Sequence, residues 1–423
     1  MHFVGASVLC FTLLVPVAVA SAASLTDFVN QIVSQHPRTA AASEAVGSSE
    51  ALIEAARGAR LPQVSGSAQT GRSQSPTNGV ISSGIRPGVS ASQLLYDGGR
   101  TDSNIKGREQ DTLAATAQRD EVILTLTARI AEAYLEWHRQ NLLLKLADAQ
   151  LIALDRFDRL VRDIASFDKG RASDQRLVTA RIVQTRNVRD ARAVNFRDAV
   201  KQMQQICVCA LTPSVAPPEF TRLLPETVPV DGGAAMLAEH PSVIGALARR
   251  DSTVADADAA SAWWKPTLEL QLSSQSELTA AGGNRYFSQN AAFLNLKGNV
   301  FDGNTGASRA NAIRARARSA EATLNATKTE LEAEAARYWN AIEERKQRIA
   351  SLKNLVEETD AAFDAVFEQF KLGRRSVIEL LTYENERYAA RGQVISEEMD
   401  TEVARMRWLN AVGKLPEKLG ARK

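Results

Sequence analysis

Two stretches of this chain, Arg100 to Phe167 and Thr305 to Phe370, contain no proline and almost no glycine. Nothing in either stretch stops a helix, and at 1.5 Å per residue each would run roughly 100 Å, far beyond helices of globular domains. Ile130, Trp137, Leu144 and Leu151 recur every seven residues, as do Ile342, Ile349, Val356, Phe363 and Phe370. Seven-residue spacing of apolar side chains means helices wound on helices. Gly170 and Gly373 then offer turns, and each long helix returns through another, from Ala172 to about Met203 and from Ser376 to about Val412. The chain is built on two long helical hairpins.

Both hairpins are entered through the same junction. Leu95-Tyr96-Asp97-Gly98-Gly99-Arg100 precedes the first and Asn299-Val300-Phe301-Asp302-Gly303-Asn304 the second. Asp97-Gly98 and Asp302-Gly303 are strand-to-helix turns, because Gly takes positive φ freely and Asp bonds the local backbone. Other landmarks repeat in the same order. His36-Pro37 recurs as His240-Pro241 (240 − 36 = 204), Leu61-Pro62 as Lys265-Pro266 (265 − 61 = 204), and Gly170-Arg171 as Gly373-Arg374 (373 − 170 = 203). A nearly constant shift through ordered landmarks is a tandem repeat. The expected organisation is a leader at 1–23, a first repeat at 24–205, a Pro-rich linker at 206–233, a second repeat at 234–415 and a tail at 416–423.

Each repeat reads as a helix broken by His-Pro, two strands and the hairpin. The first pair of strands is expected over about Val64 to Arg72 and Val89 to Tyr96. In the second pair, Leu268, Leu270 and Leu272 alternate with polar residues, and Leu294, Leu296 and Val300 do the same after the loop at Gly282-Gly283-Asn284. Period two puts the leucines on one face, toward a core in a soluble sheet or toward lipid in a membrane barrel. Strands of about ten residues suit a tilted membrane strand. Four strands cannot enclose a water-filled lumen, and open edges in lipid are prohibitive, so several copies must close one barrel together.

Composition narrows the function classes. With 44% hydrophobic residues and a net charge of +2, the chain is neither disordered nor a dedicated nucleic-acid binder. The apolar run Val8 to Val19, followed by Ala18-Val19-Ala20 and Ala20-Ser21-Ala22, reads as a secretory signal despite a poor basic segment. Cys10 lies inside the run, so no lipid-anchor cysteine ends it. Cys207 and Cys209, one residue apart, form neither a disulfide framework nor a zinc site. His36, His138 and His240 stand in no catalytic or metal pattern, and no phosphate-cradling loop or nucleophile elbow is present. No cofactor is expected and no enzymatic activity, so any driving energy must come from a partner.

Leu95 to Arg100, its echo at Phe301-Asp302-Gly303, and the run Phe370-Lys371-Leu372-Gly373-Arg374-Arg375-Ser376-Val377-Ile378-Glu379-Leu380-Leu381 resemble the TolC family of outer-membrane channel proteins over nearly the whole mature chain. That resemblance implies a homotrimer in the cell outer membrane. Its fold would be α+β: a β-barrel of twelve strands, four per chain, continuous with an α-barrel of helical hairpins across the periplasm. It also implies a periplasmic adaptor (membrane fusion protein) and an inner-membrane ABC or proton-driven pump as partners, with Gly170, Arg171, Gly373 and Arg374 at the docking tips. Phe370, Arg375 and Glu379 fall on the family's periplasmic gate, while Thr382 stands where a second acid is expected. A ring of Glu379 about a symmetry axis would select ions; an ordinary solvated i,i+4 pair with Arg375 is the plain alternative.

The expected function is a passive export duct, with outer-membrane lipid on Leu268, Leu270, Leu272, Leu294 and Leu296. The absence of a lipid-anchor cysteine leans to type I protein secretion, with small-molecule efflux as the alternative. A soluble periplasmic adaptor or scaffold is the alternative of another class. It would need the strand leucines inside a core and one hairpin where this chain has two.

Overall fold

A computed structural model describes residues 25–74, 81–167, 172–207, 223–224, 234–279 and 285–421. The expected leader, the tip Gly170-Arg171 and most of the Pro-rich linker fall outside them. The first half runs α1 (Leu25–Gln35), α2 (Pro37–Gly58), β1 (Gln63–Gln74), β2 (Ile81–Tyr96), α3 (Arg100–Phe167) and α4 (Ala172–Cys207). The second runs α5 (Ala234–Leu237), α6 (Pro241–Ser261), β3 (Thr267–Thr279), β4 (Arg285–Lys297), α7 (Thr305–Lys371) and α8 (Val377–Ala411), closed by α9 (Leu415–Lys418). The two long helices occupy the Pro-free stretches.

The four strands form one antiparallel sheet in the order β1-β2-β3-β4. Each hairpin pairs internally, and β2 joins β3 across the two halves, with a bulge between Leu94 and Tyr96. Strand β2 is longer than the sequence suggests. It begins at Ile81 because Gly84, Pro87 and Gly88, which read as turn residues, sit in register opposite Gly71, Ala68 and Ser67. At the other end the leucine alternation stops with β4 at Lys297, leaving Val300 fully exposed outside the strand.

Helix α3 packs on α2, α4, α6 and α8, and α7 packs on α6 and α8. The heptad positions face these seams: Ile130, Trp137, Ile342, Phe363 and Phe370 are buried. One core cluster lies at the middle of the bundle around Tyr134, Trp137, Met406 and Trp408; Leu223 and Leu224, from the linker, pack against it. A second cluster lies toward the hairpin tips.

The repeated His-Pro motif has a physical role in both halves. His36 caps α2 and His240 caps α6, Nδ1 of each accepting from the amide two residues on (Arg38 and Ser242, both 3.1 Å), with proline in the first turn. Each ring also hydrogen-bonds the backbone near the end of its returning helix, His36 at Ile206 and His240 at Asn410. These two residues stand 410 − 206 = 204 apart, the repeat shift itself. Burial holds both imidazoles below the ordinary histidine range, reinforced at His36 by Arg38. Only a neutral ring can accept at Nδ1. Gly413, at φ 73°, passes so close to His240 that a Cβ would meet its Cδ2 at 3.0 Å.

His240→Ala should therefore destabilise the protein by about 1–2 kcal/mol, as loss of a cap does. His240→Asn, which keeps the cap, should cost less. Because the folded pKa is lowered, the stability His240 contributes is present above the ordinary histidine pKa and is lost as pH falls through the lowered value. Thermal unfolding of both variants over a pH series checks this.

Candidate functional site

The register defines two chemically distinct sheet faces. Leu268 pairs with Leu296, Leu270 with Leu294, and Leu272 with both Ala292 and Ala91, while Ala91 also faces Val64. Directly opposed residues share a face, so these side chains form one apolar surface. Val64, Val89, Leu272, Leu294 and Leu296 are exposed on it, and Leu268 and Leu270 half-buried. No layer of this chain covers it among the described residues. The other face is polar. Ser65 bonds Ser90 (2.8 Å), Asn295 bonds Gln271 (2.9 Å), Arg86 pairs with Glu277 (2.9 Å) and Lys297 with Glu269 (3.6 Å). Phe293 is a large exposed exception on that side. Strands β1 and β4 each have one neighbour, leaving two open edges of 12 and 13 residues.

The strand-to-helix turns are tightly specified. Asp97 Oδ1 accepts from the Gly99 amide (3.0 Å), and Oδ2 from the Thr101 amide (2.7 Å) and hydroxyl (2.6 Å), so one carboxylate caps α3. Burial pushes that carboxyl up, but these bonds prevail and hold it below the usual carboxylate range. Gly98 takes φ 72°, and Lys265 from the second half lies against it, donating to its carbonyl at 3.0 Å. Asp302 does the same work for α7, accepting from the Gly306 amide at 2.7 Å. The two turns expected from Asp-Gly are thus helix caps as well.

At the tip of the second hairpin, α7 ends in a Schellman motif. Gly373 has φ 72°, its amide bonds Phe370 O (2.9 Å) and the Arg374 amide bonds Gln369 O (3.0 Å). Ser376 and Glu379 then start α8 with a reciprocal capping box. Arg375 donates to Glu379 (2.9 Å) and to Gln369 (2.8 Å), fastening the ends of both helices. The Ser376 amide first, then Arg375 and the Ser376 hydroxyl, hold the Glu379 carboxyl below its ordinary value. Phe370 lies elsewhere: it is buried in the tip cluster with Leu154, Phe157 and Leu380. Thr382 bonds back to Ile378 O at 2.9 Å. Arg375 and Glu379 come together, then, and Phe370 sits in the core behind them.

Other groups escaped the sequence. Asp360 of α7 receives Arg391 of α8 (2.7 Å), with Arg387 beside it (3.9 Å) and over the Phe363 ring (4.1 Å). Further along, Arg345 of α7 reaches Glu397 (2.8 Å) and Asp400 (3.3 Å) of α8, and Arg139 of α3 also pairs with Asp400. Buried Glu384 of α8 bonds Gln150 of α3 at 3.2 Å. Charges on long helices look solvated in sequence. Only the seam between helices distinguishes these.

A narrow open sheet, apolar on one face and polar on the other, carried on two helical hairpins, is also the fold of solved outer-membrane channels. It matches the solved channel OprN with a TM-score of 0.79 at 21% identity, covering 94% of this chain and 90% of that one. It matches the open state of the MtrE outer membrane channel of Neisseria gonorrhoeae at 0.78 and 19%, covering 94% and 91%. The chain belongs to the outer membrane efflux protein family, which matches residues 28–204 and 234–414. It is also similar to the outer membrane efflux protein BepC of Brucella suis biovar 1 (strain 1330), 22% identical over 366 residues, 86% of this chain and 79% of that protein. The resemblance to TolC-like channels read from the sequence is borne out.

Ser376→Ala should remove the hydroxyl half of the capping box, leaving the residue 376 amide on Glu379, and loosen the start of α8 by about 1 kcal/mol. Amide exchange at residues 377–381, faster in the variant than in the native protein, is the expected result. Since Glu379 has a lowered pKa, its part of the cap persists above its ordinary value and is lost as pH falls through the lowered one.

Proposed function

We propose that the chain is the outer-membrane duct of a tripartite efflux system, working passively as a homotrimer. The observation that carries this reading is the sheet. It has an exposed apolar face, a polar face stitched by hydrogen bonds, and two unpaired edges. Three copies supply 3 × 4 = 12 strands, enough to close a barrel with lipid outside and water inside. None of the described helices is long and apolar enough to cross a membrane, so the spanning part is the sheet, and the helices extend into the periplasm. Transport energy comes from an inner-membrane pump reached through a periplasmic adaptor.

The cargo is small molecules rather than secreted protein. The sequence leaned to type I secretion on one missing cysteine, whereas family membership and the similarity to BepC support efflux better. At the periplasmic end, Gly373 and Arg374, with exposed Leu372 and Ile378 beside them, form a docking tip. Gly170 and Arg171 would form the other, next to exposed Phe167. Arg375 and Glu379 are proposed as a charged constriction about the trimer axis, with buried Phe370 holding the tip on which they stand.

Two experiments test this. Light scattering corrected for bound detergent should give a trimer found only after detergent extraction, and a deletion strain should gain sensitivity to toxic small molecules with its protein secretion intact. A soluble monomer would overturn the duct; lost secretion with unchanged sensitivity would overturn efflux. In planar bilayers, Arg375→Ala and Glu379→Ala should each raise the conductance of a resting channel and change its ion selectivity. Unchanged values in both would remove the gate assignment.

A further inference from the structure

Glu384 lies on α8, five residues beyond Glu379, and none of it reaches solvent. Among the described residues it is the most completely buried carboxylate. Its Oε2 accepts one hydrogen bond, from Gln150 of α3 at 3.2 Å, and its Oε1 has no partner among the described residues. Two cations face it, Arg387 on α8 and Arg181 on α4. Arg387 lies over the Phe363 ring and 3.9 Å from Asp360 of α7, which holds Arg391, and its Nε makes no hydrogen bond among the described residues, to Glu384 or to any other group. Arg181 donates to Gln184 at 3.2 Å. An ionised carboxylate here would have one hydrogen bond and no solvent, which is costly; a protonated one carries no charge to desolvate.

We propose that Glu384 is a proton-controlled fastener between α8 and α3: protonated it stays packed on Gln150 and holds the second hairpin to the first, and ionised it draws in water and lets α8 part from α3. Burial pushes the carboxyl up to about 7, against the lowering pull of the Gln150 bond and of Arg387 and Arg181. The packed seam keeps a proton that a hydrated glutamate has lost. It therefore binds more protons between the ordinary value of 4.5 and about 7, and its packing weakens as pH rises through that window. The histidines of the chain run the other way. His36, His138 and His240 are held neutral chiefly by burial, so their contribution weakens as pH falls. The sign separates Glu384 from these histidines, and Asp256 of α6, which burial also pushes up, lies far along the chain from residues 377–388. Any effect on conductance rests on the duct proposed above; the fastener itself does not.

The test is hydrogen exchange of the full-length, detergent-purified protein, read by mass spectrometry over residues 377–388 and corrected for intrinsic exchange rates. Native protein should lose roughly tenfold or more in protection from about pH 5 to about pH 8. Glu384→Gln should keep its protection flat over that range. Gln150→Leu, which removes the hydrogen bond that Glu384 accepts among the described residues, should move the midpoint to higher pH. A flat native profile, or a Glu384→Gln profile as steep as the native one, would overturn the proposal. If Glu384→Gln does not fold, the Gln150→Leu midpoint decides, and an unmoved midpoint is the negative result. Neither trimer mass nor channel activity enters this readout, so failure of the duct and failure of the fastener are separate outcomes.

Discussion

The backbone of the two edge strands imposes the main constraint on this protein. Strands β1 and β4 each leave a row of amide and carbonyl groups without a partner among the described residues of their own chain. In water such edges invite aggregation; in hydrocarbon each unpaired group costs several kcal/mol. The apolar face forbids the aqueous solution to this problem, because Leu294 and Leu296 would remain solvated. Pairing β4 of one copy with β1 of the next satisfies the backbone and hides the leucines in lipid at once. In the proposed trimer, assembly is therefore a condition of membrane residence, with no spare stable monomeric form.

Continuity between sheet and helices follows from the turns. Strand β2 passes into α3 at Asp97-Gly98, and Lys265, just before β3, closes on the Gly98 carbonyl. The two halves thereby lock one another at the level where strands become helices. Asp97 and Asp302 start α3 and α7 at fixed points relative to the strands, so strand register sets helix phase. That phase decides which charges meet across the seams. A shift of one residue in β2 would turn the α3 face carrying Arg139 and Gln150 away from α8.

Much of this was legible in the sequence because it depends on local chemistry repeated twice. Asp-Gly, His-Pro and proline-free heptads each have a near-range cause, and each occurs again about 200 residues on, so the order of elements is readable from the chain. What stayed hidden depends on tertiary placement. Strand β2 reaches back past Val89 to Ile81 because pairing to β1 overrides the turn propensity of Gly84, Pro87 and Gly88. Glu384 stands in the run Glu384-Asn385-Glu386-Arg387, which reads as a solvated helix face. Its burial appears only when α8 meets α3. Arg375 and Glu379 show the opposite limit: their capping chemistry is local and visible, but a role between subunits depends on neighbours outside the chain.

The helix seams combine two kinds of contact with different mechanical consequences. Around Tyr134, Trp137 and Trp408 the bundle is apolar and densely filled, and separation there would expose large aromatic surfaces. Between that core and the tip, α7 and α8 are joined by Asp360 with Arg391, and α8 meets α3 through Glu384 and Gln150. Polar contacts can exchange a protein partner for water at little net cost, whereas apolar packing cannot. Opening of the hairpins should therefore hinge near the mid-bundle core and work through the polar seams, provided the tip cluster of Phe157, Phe363 and Phe370 shifts as a unit. The stacked arrangement of Phe363 and Phe367 on one face of α7, with Phe157 of α3 against both, makes that cluster the firmest restraint on the tip. The proposed gate would then be held by packing and released through its charges.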